Sequence, residues 1–153
     1  MITTAAPKIK ALPSPHRERL MALARDVMFE PGERLFDEGK PADRFWIIRT
    51  GAVNLDSRLP GQRRPAVIEM LGHGELVGLS WLFPPYEWEL GSEAMSLVRA
   101  DEFDAAAVQS LCEAEPAFGL ALTQWVGQVL AHRLHATRSR LLDLYAPPAT
   151  SVV

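Results

Sequence analysis

The strongest constraint on this chain is a change of texture at Met28. From there to Phe103, short apolar segments alternate with turns built on glycine and proline, and helical periodicity is absent. A stretch so often interrupted cannot bury its apolar residues as a helix, and it predicts an antiparallel all-β unit over about residues 28–104. Residues 34–36, 45–48, 52–55, 66–71 and 95–103 read as strands. Turns fall at residues 30–33, 37–39 and 50–51, where Gly32, Gly39 and Gly51 supply the backbone freedom of a tight reversal.

Helical patterns flank this unit. Ser14-Pro15 has the form of an N-cap followed by proline at the first helical position, and Leu20, Met21, Leu23, Ala24 and Val27 recur at helical spacing. They predict a short helix over residues 15–26. Glu115-Pro116 opens a long helix over about residues 116–145. Along it, Val126, Leu130, Leu134, Thr137, Leu141 and Leu144 form one stripe, the expected seam of a homodimer. Phe118, Leu122, Trp125 and Val129 form a second apolar face suited to cover the β unit. Ala146-Pro147-Pro148 ends the helix. The organisation expected is a flexible tail over residues 1–13, one domain over 14–146 and a second tail over 147–153.

Several function classes are disfavoured at once. With 153 residues, 48% hydrophobic and 23% charged, the chain fits one globular core. It has no apolar run long enough to span a bilayer, and its N-terminus lacks the cationic and apolar regions of a secretory signal, so a cytoplasmic location is expected. The single Cys112 allows neither an internal disulfide nor a thiolate metal cluster. A net charge of −3 gives no electrostatic footprint for nucleic acid, and the most basic stretch, from Arg58 to Arg64, reads as a solvated hairpin turn. No serine or cysteine has a recognisable nucleophile setting, which points away from an enzyme. His132 and His135 lie three apart on the long helix without a third ligand and read as exposed or interfacial; only His73 lies in the β region. No cofactor or metal is expected.

The segments Phe29-Glu30-Pro31-Gly32-Glu33, Phe36-Asp37-Glu38-Gly39, Asp43-Arg44-Phe45-Trp46-Ile47-Ile48 and Thr50-Gly51-Ala52-Val53 resemble the opening half of cyclic-nucleotide-binding domains of the catabolite activator type. Leu71-Gly72-His73-Gly74-Glu75-Leu76-Val77-Gly78 resembles the lead-in to that family's phosphate-binding cassette, and the helix ending in Arg140-Leu141-Leu142-Asp143-Leu144-Tyr145 resembles its dimerising helix. The resemblance covers about residues 15–145. It implies a mainly β fold with flanking helices: a jelly-roll-like antiparallel β-barrel with an N-terminal helix and a long C-terminal helix, and no catalysis. Transcription factors of this family carry a helix-turn-helix domain after the long helix, and this chain is expected to lack one.

In that family a glutamate after the cassette glycine holds the ribose hydroxyl, a short helix turns its N-terminus to the phosphate, and an arginine pairs with it. Enclosing a phosphate requires N–H donors and a cation to offset desolvation. Here Gly78 matches the cassette glycine, but Leu79 follows it, and the available carboxylate is the earlier Glu75. From Pro65 to Val98 there is no lysine or arginine and there are five glutamates. The arginine position falls on Glu87, Glu89, Glu93 or a neighbour, where repulsion would replace attraction. Pro84-Pro85 also limits the helix after Gly78 to little more than one turn. The candidate ligand-binding residues are Glu75, Val77, Gly78, Leu79, Ser80, Trp81, Glu87, Trp88, Glu93 and Arg99.

These residues predict a regulatory or sensory module with little affinity for cyclic AMP or cyclic GMP. The aromatic residues Trp46, Trp81, Phe83, Tyr86 and Trp88 either fill the vacated pocket or line one remodelled for an apolar or cationic small molecule. Two other readings stay open. In one the chain is a structural or protein-interaction subunit; in the other it binds cyclic nucleotide with a cation from Arg99 or from an arginine of the partner subunit's long helix, such as the partner's Arg133.

Overall fold

A computed structural model describes residues 6–146. Among these residues eight strands form two antiparallel sheets of four. The strands are β1 (Arg25–Phe29), β2 (Arg34–Phe36), β3 (Arg44–Thr50), β4 (Val53–Ser57), β5 (Ala66–Leu71), β6 (Leu76–Val77), β7 (Gly91–Ala94) and β8 (Val98–Asp104). One sheet runs β1-β8-β3-β6 and the other β2-β7-β4-β5. The sheets pack in the jelly-roll-like arrangement expected, without closing into a barrel. The helices are α1 (Ser14–Met21), α2 (Ala105–Ala114) and α3 (Pro116–Tyr145).

Both faces of β3 are buried, which explains its unbroken apolar run. On one face Trp46 stacks with Phe36 and meets Phe29 edge-on; on the other Phe45 stacks with Trp81 and Phe103. The Trp46 indole N–H donates to Glu102, its cross-strand partner on β8, at 3.0 Å. Between β3 and β4, Gly51 has φ +88° and a backbone neighbour, Leu97, so close that a Cβ would collide with it.

The long helix opens at Pro116 as expected. Its buried residues are Phe118, Gly119, Leu122, Trp125, Val126, Val129 and His132. The second apolar face therefore covers the sheets. Val126, expected in the dimer seam, is fully buried in this chain's own core. Leu130, Leu134 and Leu141 are exposed.

Four other expectations change. The first helix ends at Met21, and Arg25–Phe29 pairs with β8 as a strand, because the edge of β8 needs hydrogen-bond partners that local spacing does not register. Ser14 is the first helical residue rather than an N-cap, and its hydroxyl reaches only Glu18. The expected tail is partly packed: Leu12 is fully buried and the Ile9 N–H donates to the Gly74 carbonyl at 2.9 Å. Residues 1–5 and the expected tail over 147–153 lie outside the described residues. Finally, the last strand starts at Val98 rather than 95, and the buried β7, with its polar sequence Gly-Ser-Glu-Ala, takes up a strand position that apolar content did not mark.

A candidate ligand cavity beneath the long helix

The cassette leaves β6 at Gly78, whose φ of +100° favours glycine. A Cβ added there would fall 2.9 Å from the Trp88 ring and 3.4 Å from Phe45. One short helical turn, Ser80–Leu82, follows, and Pro84-Pro85 ends it. The chain then returns along the β2–β3 turn. Trp88 N–H donates to the Lys40 carbonyl at 2.9 Å, Gly39 N–H to the Trp88 carbonyl at 2.8 Å and Ala42 N–H to the Tyr86 carbonyl at 2.7 Å.

This anchoring holds Trp88 face to face with Phe36, ring centroids 3.9 Å apart. Trp81 turns the other way: it stacks on Phe45 at 4.4 Å and its indole N–H donates to the Gly78 carbonyl at 3.0 Å. Trp46 and Trp81 thus fill the core. Trp88 is buried yet also forms a wall of a cavity of about 340 Å³ between the cassette and α3. Phe83 is exposed at its border, and Tyr86 is exposed away from it.

The cavity wall is mostly apolar, with Phe36, Leu55, Leu79, Phe83, Trp88 and Leu90 on the sheet and cassette side and Leu130 and Leu134 on the helix. Of the expected candidates, Gly78, Leu79, Ser80, Glu87 and Trp88 border it. The others do not. Val77 and Trp81 belong to the core. Glu75 accepts the Gly72 N–H at 2.6 Å and closes its own turn. Glu93 lies 3.6 Å from Arg34, in a cluster where Arg34 also pairs with Asp56 at 2.5 Å and Asp37 at 3.0 Å. Arg99 is exposed on β8, paired in register with Met28, and supplies nothing to the cavity.

The long helix brings a cation to the cavity. Among the described residues, Arg133 is the one basic side chain bordering the cavity. Its side chain is 12% exposed, its terminal Nη2 donates to the Leu76 carbonyl, and its Nε is buried without a hydrogen-bond partner. The nearest carboxylate oxygen, on Glu69, is 3.9 Å from Nε, within ion-pair range but too far for a hydrogen bond. Burial lowers the Arg133 pKa, opposed by the charges of Glu69 and Glu75. Helical spacing carried the signal: Leu130, Arg133, Leu134 and Thr137 stand at i, i+3, i+4 and i+7 on one face and all border the cavity.

His132 is buried within this chain, whereas His135 is exposed, against an expectation of exposed or interfacial positions for both. Among the described residues no group of three or more potential metal ligands converges. Half-burial raises the Cys112 thiol pKa, which leaves it unactivated. No described helix is long and apolar enough to cross a membrane.

A family model for the cyclic nucleotide-binding domain matches residues 26–115, the whole run from β1 through the cassette to α2. The chain belongs to the cyclic nucleotide-binding domain family. A relative of this domain, the CRP-like cAMP-activated global transcriptional regulator of Mycobacterium tuberculosis, is 30% identical over 118 residues, covering 77% of this chain and 50% of that protein. The chain spans about half the length of the curated relatives it matches first. Among solved structures, the N-terminal domain of a transcriptional regulator from Streptomyces coelicolor A3(2) aligns with a TM-score of 0.67 and 26% identity, covering 91% of this chain and 93% of that one. The c-di-GMP responsive regulator CLP of Xanthomonas campestris aligns with a TM-score of 0.77 and 19% identity, covering 87% and 65%. This cyclic nucleotide-binding domain is thus related to CRP-like regulators, and its cavity lies between its own cassette and long helix.

Proposed function

We propose that this chain is a non-enzymatic sensory module that binds a small molecule other than a conventionally held cyclic AMP or cyclic GMP, and that it dimerises through α3. The observation that carries the reading is the wall of the cavity. Leu79 stands where a ribose-holding glutamate is expected, Glu87 and Glu89 stand near the expected arginine position, and the surroundings are apolar. The ribose and base of a cyclic nucleotide carry several polar groups, and each one buried without a partner costs about 1–3 kcal/mol. The fold itself is not tied to one ligand, since a regulator of this fold is named for its response to c-di-GMP. Calorimetry of purified protein with cyclic AMP and with cyclic GMP is expected to show no binding at micromolar concentration. Micromolar or tighter binding of either nucleotide refutes this reading.

One observation favours a second reading. Arg133 borders the cavity from the same subunit, so a cyclic phosphate could be met by a cation outside the cassette. That reading requires nucleotide binding that is lost in Arg133→Gln.

A further inference from the structure

We propose that the cavity takes a small carboxylic acid with an apolar, ring-sized body, its carboxylate held by Arg133. The inference rests on the reading of the cavity as a ligand site and assigns the class of ligand.

The body of the ligand follows from the wall. Phe36, Leu55, Trp88 and Leu90 offer apolar and aromatic surface on one side, and Leu130 and Leu134 on the other. The cavity, about 340 Å³, lies at the small end of the range for ligand sites. An apolar body leaves no polar group stranded against these residues.

The head follows from Arg133. A guanidinium has five N–H donors; here Nη2 donates to the Leu76 carbonyl and Nε is sealed off, so the remaining terminal N–H groups of this cavity-bordering side chain are the ones left for a ligand. A neutral apolar ligand leaves these groups without an acceptor, and a cationic one is repelled by their charge. A carboxylate supplies acceptor and charge together and can engage the guanidinium fork at two points. Glu87 and Glu89 oppose an anion, but both are exposed, so water and salt weaken their effect, whereas water screens the mostly buried Arg133 much less. The serious competitor is Glu69, 23% exposed and 3.9 Å from Nε. It compensates the charge of Arg133 without satisfying its donor, so its removal favours an incoming carboxylate.

The test uses 2-naphthoate and its uncharged counterpart 2-naphthamide as probes, titrated calorimetrically into the full chain. The acid is expected to bind at least about tenfold tighter than the amide. Arg133→Gln is expected to abolish the preference and Glu69→Gln to enlarge it. Equal binding of acid and amide, or a preference that survives Arg133→Gln, overturns the carboxylate assignment while leaving an apolar ligand site in place. Should Arg133→Gln fail to fold, a preference unchanged or reduced in Glu69→Gln overturns the assignment equally. Binding of neither probe to the wild type overturns the cavity as a site for molecules of this size, and the inference with it.

Discussion

Replacing Gly78 by alanine tests whether the cassette and Trp88 are packed as tightly as the cavity wall requires. Two costs are expected. The first is conformational: φ is +100°, and an L-residue held in the left-handed region loses roughly 1–2 kcal/mol. The second is steric, because the new methyl group would lie 2.9 Å from the Trp88 ring, which is itself stacked on Phe36 and cannot retreat freely. Overpacking of this kind costs about 1–3 kcal/mol. Gly32→Ala separates the two: Gly32 has φ +89° but nothing within 4 Å of an added Cβ, so it carries the conformational cost alone. For a domain of this size each kcal/mol lowers Tm by about 2–4 °C. Thermal unfolding followed by near-ultraviolet circular dichroism should show Gly32→Ala a few degrees below wild type and Gly78→Ala at least about 2 °C lower again. The Trp88 signal should change only in the second. Equal losses in the two variants would refute the steric contribution and with it the rigid Trp88 wall.

The dimer seam and one buried carboxylate give two more predictions. Leu141 is exposed on α3 and does not border the cavity, so Leu141→Asp should turn the expected dimer into monomers by placing an unpaired charge in an apolar seam; an unchanged sedimentation profile refutes the seam. Asp101 is buried on β8 opposite Asp26, and desolvation raises its pKa, with Arg49 opposing and Asp26 reinforcing the shift. The unfolded chain releases this proton at lower pH than the fold does, so stability falls as pH rises from about 4 through the raised value. Asp101→Asn should therefore melt above wild type at neutral pH, with the difference closing below about pH 4; a difference independent of pH refutes the desolvation.

Most of the β framework was legible in order. Glycines at 32, 39 and 51 mark turns because each has positive φ, a local backbone requirement that sequence records directly. The run Phe45-Trp46-Ile47-Ile48 marks a strand because both of its faces are buried. The first helix was drawn too long for the opposite reason. Leu23, Ala24 and Val27 fit a helical stripe, but the hydrogen bonds of residues 25–29 are decided by the neighbouring edge of β8, far along the chain at Val98–Glu102. β7 was invisible because its burial comes from lying between β2 and β4 rather than from apolar side chains. The signal for α2 was present: Asp104 caps it by accepting the Ala107 N–H at 3.0 Å.

The cavity divides along the same line. By itself the sequence determined that no basic residue lies between Pro65 and Val98 and that Leu79 follows the cassette glycine, since both are statements about neighbours along the chain. It also determined that α3 carries two apolar faces, because helical spacing alone sets that. Only the tertiary structure decided that one face packs down far enough to bury Val126 and bring Arg133 over the cassette, that Trp81 fills the core while Trp88 forms a wall, and that Arg99 stays in solvent. The physical reason is that a buried charge answers to whatever surrounds it in space. Arg133 meets the cassette residues at the cavity only because α3 folds back over the sheets, a contact that neighbours along the chain do not record.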